Sequence, residues 1–132
     1  MDLGQYFRDT KGTGVLATAD DQGRVDAAVY ARPHVFDHET IVLLMPDRLT
    51  HHNLQSNNQA VYLFIEEGAE YEGIRLFLTK VREEGDSALL HDILREKNAT
   101  EFGAGENCCF LVYFKVAKVL PLIGAEEDFE KE

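Results

Sequence analysis

A chain of 132 residues is long enough for one domain with a self-sufficient core, and two adjacent cysteines cannot supply a disulfide framework. Its formal charge of -11, from 24 acidic and 13 basic residues, has the wrong sign for a protein that tracks a nucleic-acid backbone. No run of about 18 apolar residues occurs and Met1 to Thr10 lacks the apolar centre of a signal peptide, so a cytoplasmic protein without nucleic-acid or membrane partners is expected.

The first element is a short helix over Leu3 to Lys11. Asp2 is placed to cap it, Leu3, Tyr6 and Phe7 share one side, and Gly12 and Gly14 are expected to end it. Val15 to Ala19 is an apolar strand, and "DDQG" at 20 to 23 is a turn leading to a second strand from Arg24 to about His34. Alternation there puts Val25, Ala27, Val29 and Ala31 on one face and Asp26, Ala28, Tyr30 and Arg32 on the other. The second of these faces is only partly polar, which suits a covered surface.

"FDHET" at 36 to 40 reads as a hairpin connection, followed by a third strand over Thr40 to Met45 that Pro46 and Asp47 break. Thr50 to Asn58 suits one or two helical turns, because "AVYLFI" at 60 to 65 is a strand by composition. An acidic loop at 66 to 73 leads to the strand "IRLFLTKV" at 74 to 81. A helix over Ala88 to Lys97, capped by Asp86 or Ser87, gathers Leu89, Leu90, Ile93 and Leu94 into an apolar stripe. After the loop "FGAGEN", Cys108 to Leu120 forms a long strand that is apolar on both faces, as a central strand or an interface strand would be.

Six strands with three short helices, and no regular βα alternation, point to a mainly β fold: a small barrel or an α+β arrangement. A single domain over 1–132 is expected, with an acidic tail from about residue 125. Cys108 and Cys109 would face opposite ways on a strand, so two reduced thiols are expected.

The chemical motifs are few. His34, His38, His51, His52 and His91 occur without HExxH, CxxC or another ligand spacing, so no metal site is assigned. Neither GxSxG, GxGxxG nor a Walker lysine is present, and no catalytic residue can be named. The stretch "PDRLTHHN" at 46 to 53 is more informative. It sets Arg48, Thr50, His51 and Asn53 where a strand end becomes a helix start, and helix amides, a hydroxyl and a guanidinium there suit a phosphomonoester. The same residues also suit a plain Thr50 N-cap with Arg48 in solvent.

The order "GVLATADDQGRVDAAVYARPHVF…ETIVLLMPDRLTHHNLQSNNQAVYLFIE" resembles the pyridoxamine-phosphate-oxidase-like, FMN-binding split-barrel superfamily. The likeness covers about Phe7 to Lys80, with a weaker match in "FLVYFKVAKVLPLIG". It implies a six-stranded split β-barrel that forms a homodimer, with FMN held near the dimer interface. It also implies that Val29, Tyr30, Ala31 and Arg32 lie beside the ring and ribityl chain, and that Leu44 and Met45 back the ring. Arg48, Leu49, Thr50 and His51 would then form the phosphate turn, with Asn53 at the helix start.

Many relatives carry a lysine in that turn where this chain has Thr50, so Arg48 and a protonated His51 or His52 would supply the charge, with Arg75 or Arg32 adding the rest, or flavin would bind more weakly, or the cofactor would be haem or a deazaflavin instead. The resemblance implies an oxidoreductase or flavin reductase drawing electrons from a nicotinamide or another small-molecule donor. Its alternatives are an electron-transfer module without turnover and a cofactor-free dimeric interaction protein.

Overall fold

A computed structural model describes residues 1–68, 70–85, 87–97 and 109–124. The loop expected at 102 to 107, Asp86, Cys108 and the acidic tail from 125 lie outside these residues.

Helix α1, Leu3–Asp9, starts where the Asp2 carboxylate accepts the Gln5 amide at 3.1 Å and buries Leu3 and Phe7. It stops at Thr10, two residues before the expected end, because Gly12 and Gly14 are already inside strand β1, Gly12–Ala19. These glycines therefore serve close packing. A Cβ at Gly14 would overlap the Tyr62 hydroxyl, and one at Gly12 would overlap the Ile65 carbonyl.

The turn into β2, Val25–Tyr30, is held by Asp20, whose carboxylate accepts the Gln22 and Arg24 amides, each at 2.9 Å. Its centre is Gly23, at a φ of 82° that a side chain would strain. The strand expected to run on to His34 is instead two. Pro33 has no N–H to give a ladder, so β2 ends at Tyr30 and a separate β3, His34–Asp37, follows. Three long-range hydrogen bonds fix the break: Tyr62 Oη donates to Ala31 O at 2.9 Å, and Arg32 Nη1 donates to Phe7 O and Thr10 O at 2.9 and 2.8 Å.

Strand β4, Thr40–Pro46, is buried from Ile41 to Met45. Helix α2 is Leu49–Ser56, strand β5 is Gln59–Glu66 and strand β6 is Gly73–Glu84. Helix α3, Ala88–Lys97, is capped by the Ser87 hydroxyl, which accepts the Leu90 amide at 3.1 Å. The last strand is β7, Cys109–Pro121. Cys109 is disulfide-bonded, so the expectation of reduced thiols fails at that residue.

The strands form one antiparallel sheet in the order β2-β1-β5-β6-β7-β4-β3. It has seven strands rather than the expected six, the extra one created by the break at Pro33, and it is open rather than closed. Strand β7 is interior as its two apolar faces require, lying between β6 and β4. Residues alternate between two apolar clusters: Ile41, Leu43 and Met45 join Leu16, Tyr62, Phe64 and Phe114, and α1 adds Leu3 and Phe7. Val42 and Leu44 join Leu111 and Tyr113 on the other face, which α3 covers with Leu90, Ile93 and Leu94.

Helix α2 docks beside β1, where Asn53 Nδ2 donates to Thr18 Oγ1 at 3.1 Å and Leu54 enters the first cluster. This docking aims the helix start at β2.

Candidate functional site

The start of α2 and strand β2 enclose a groove of about 470 Å³, within the range of small-molecule sites, about 300–1,000 Å³. Its β2 wall is Asp26, Ala28, Val29, Tyr30 and Ala31, and its other wall is Pro46, Arg48, Leu49 and Thr50. Six of the eleven expected cofactor residues therefore meet here: Val29, Tyr30, Ala31, Arg48, Leu49 and Thr50.

Arg48, not Thr50, is the N-cap of α2, and no side chain caps the first turn. An uncapped first turn leaves main-chain N–H groups that need an acceptor from outside the helix. The Thr50 hydroxyl is buried, contacts Asp26 Oδ2 at a long 3.3 Å, and hydrogen-bonds the Tyr30 phenol. Burial pushes the Tyr30 hydroxyl up, while the Thr50 hydrogen bond and the Arg48 charge pull the other way.

The other five expected residues are placed elsewhere. His51 is one residue from Thr50, and the rotation of about 100° per helical residue turns it to another face. There its ring stacks on Phe110 with centroids 4.1 Å apart and planes within 3°, and Nε2 donates to Glu83 at 3.0 Å. Asn53 is committed to Thr18, and the Arg32 guanidinium to the end of α1. Met45 is in the core. Leu44 borders a cleft of about 10 Å³ with Tyr30, Ala31 and Arg32.

Asp26, Ala28 and Pro46 also line the groove, although sequence reasoning did not select them. Asp26 and Ala28 share the face of Tyr30 in the alternation of β2, and this was the available signal.

An FMN-like ligand fits this lining in part. Arg48 and the uncapped amides suit a phosphate. Ala28, Val29, Tyr30 and Leu49 offer apolar surface to a ring. Asp26 opposes an anion, and its contact with the Thr50 hydroxyl draws that donor away. Haem finds less to hold it, because no histidine, cysteine or methionine is among the described residues lining the groove. Among the described residues, no group of three or more His, Cys, Asp or Glu is placed to hold a metal ion, and no helix is long and apolar enough to cross a membrane.

No family model and no curated protein matches the sequence. Solved structures do match the fold. An FMN-binding protein from Syntrophomonas wolfei subsp. wolfei superposes with a TM-score of 0.74 at 19% identity, over 94% of this chain and 86% of that one. HutZ, the haem storage protein from Vibrio cholerae, gives 0.65 at 20% identity, over 92% and 96%. A pyridoxinephosphate oxidase family protein from Clostridium acetobutylicum, related to general stress protein 26, gives 0.64 at 12%, over 89% of each chain. This sheet and its three helices are the split-barrel fold of the pyridoxamine 5'-phosphate oxidase-like and FMN-binding proteins.

Proposed function

We propose that the chain binds FMN in the groove between β2 and the start of α2 and works as an oxidoreductase or flavin reductase on a small substrate or electron carrier. The observation that carries this reading is the uncapped first turn of α2, with Arg48 beside it, facing a groove of flavin size. Bound flavin would supply the electron chemistry. The chain's own residues would hold the phosphate at Arg48 and the 49–51 amides and give the ring an apolar wall. A nicotinamide or another small donor would deliver the electrons.

A homodimer belongs to the same proposal. Strand β2 is an edge strand whose outward residues Val25 and Val29 are 82% and 75% exposed, beside Leu49 at 56%. Apolar side chains on an unpaired edge suit coverage by a second copy.

Fluorescence titration with FMN and with riboflavin tests the site. Replacing Arg48 and Thr50 together by alanine is expected to weaken FMN by roughly tenfold or more while riboflavin changes little, because only FMN carries the phosphate. Equal loss for both ligands would place the phosphate elsewhere. Tight FMN binding with no turnover across a panel of donors would favour an electron-transfer module over an enzyme.

A further inference from the structure

A second cavity, of about 450 Å³, lies between α1, the connection from β2 to β3, and α3. Gly4 and Arg8 line it from α1, Arg32 and His34 from the connection and β3, and Ile93 from α3. Three nitrogen-bearing side chains thus converge on one cavity, and none of the described residues lining it is a carboxylate. In a chain of formal charge -11 such a concentration is not the background of the surface.

The three groups are held differently. Arg32 is fixed through its hydrogen bonds to Phe7 O and Thr10 O, which point its guanidinium at the end of α1 and leave other N–H groups of the fork to donate. Arg8 is exposed and has no ion pair or hydrogen bond among the described residues, and His34 is exposed beside it. Asp2 stands at the edge of the cavity, its Oδ1 3.5 Å from where a Cβ of Gly4 would lie, and that oxygen is occupied as the cap of α1 through the Gln5 amide.

Gly4 gives an independent indication. Glycine within a helix costs about 1 kcal/mol relative to alanine, so a glycine in a seven-residue helix needs a reason. A Cβ at Gly4 would meet Arg8 Nη1 at 3.4 Å, Asp2 Oδ1 at 3.5 Å and Val35 Cγ1 at 3.9 Å, ordinary contacts, so packing does not require the glycine. Its effect is to keep the cavity open beneath Arg8. The remaining wall is apolar, with Phe7, Val35 and Ile93.

We infer that this cavity is a second binding site, for a small organic anion that presents a phosphate or carboxylate to Arg8, Arg32 and His34 and lays an apolar body against Phe7 and Ile93. It is distinct from the β2–α2 groove: the two share no lining residue, and segment 30–32 separates them. The inference does not require the flavin reading, since none of its residues belongs to the proposed phosphate turn.

Phenyl phosphate and benzoate are suitable probes, titrated at low salt while amide chemical shifts are followed by NMR on the full chain. Both probes are expected to shift Gly4, Arg8 and His34. Arg8→Glu should weaken binding by roughly tenfold. Gly4→Leu should abolish it by filling the cavity, with the fold retained because leucine is the better helix former. Arg48→Ala should leave both probes bound at this site, and Arg8→Glu should keep wild-type FMN affinity, so failure here and failure of the flavin site are separately visible. Phosphate without benzoate would narrow the ligand to phosphorylated molecules, and both binding equally would place carboxylates in the class. Shifts confined to residues 48–51, no binding by wild type, or unchanged binding in Arg8→Glu and Gly4→Leu would each overturn the inference.

Discussion

Helix α2 has two faces with opposite fates. The face carrying His51 is finished: the ring stacks on Phe110, Glu83 accepts from it, and Gln55 and Lys80 complete the carboxylate's shell at 3.2 and 2.8 Å. The face carrying Arg48 and Thr50 is less complete: no side chain caps its first turn, and the Thr50 hydroxyl, hydrogen-bonded to the Tyr30 phenol, reaches Asp26 only at a long 3.3 Å. Polar residues therefore differ in meaning along one turn of helix. A satisfied buried network holds the helix in place, whereas the uncapped end has main-chain N–H groups that no side chain of the first turn meets.

The sharpest way to break this comparison is to exchange the consequences of the two faces. His51→Ala removes a stacked ring from a side chain that is 7% exposed and leaves Glu83 without one of its donors, so a loss of about 3 kcal/mol in unfolding free energy is expected from chemical denaturation. Arg48→Ala should change stability by less than about 0.5 kcal/mol, as for other exposed residues, yet lower FMN affinity. If Arg48→Ala proved as destabilising as His51→Ala, the start of α2 would be structural and not a binding edge.

The pH dependence of stability separates the faces further. Partial burial pushes the Glu83 carboxyl up, but hydrogen bonds from Lys80, Gln55 and His51 together outweigh it and bring it down to about 2. A carboxyl lower in the folded than in the unfolded chain stabilises the fold above its unfolded value of about 4.5, and loses that contribution as pH falls toward about 2. Denaturation midpoints measured from pH 5 to pH 2 should fall, and Glu83→Gln should flatten this part of the profile. An unchanged slope in Glu83→Gln would assign the acid sensitivity to other carboxylates.

Much of the fold was legible because its signals are local. Apolar and β-branched composition marked β1 and β5, alternation marked β6 and β7, Asp2 announced the start of α1, and Ser87 announced α3. Pro33 was also a local signal, and the break it imposes distinguishes seven strands from six. Of the expected site residues, those of the turn and of β2 line one groove, and the others do not. Adjacency in sequence suggested that His51 shares the site of Thr50, but helical rotation separates them. Arg32 was expected beside the ring and ribityl chain, but its Nη1 is held by the end of α1, 22 residues earlier at Thr10, at 2.8 Å. Such pairings depend on how distant segments pack, which no local pattern encodes.

The smallest predicted effect concerns Asp26, the groove residue that opposes the proposed ligand. Its carboxylate stands 3.3 Å from the Thr50 hydroxyl, on the wall facing Arg48. If an FMN phosphate lies at the start of α2, the carboxylate repels it across a solvent-screened groove, an interaction of about 1 kcal/mol or less. Asp26→Asn keeps the size and an acceptor for Thr50 while removing the charge, so FMN affinity should rise by roughly twofold to fivefold, with riboflavin unchanged. The gain should shrink as salt is raised, because screening removes the same repulsion. A loss of affinity for both ligands in Asp26→Asn would give the carboxylate the opposite role: an acceptor for a hydrogen-bond donor on the ring, placed in the groove with the phosphate directed away from it.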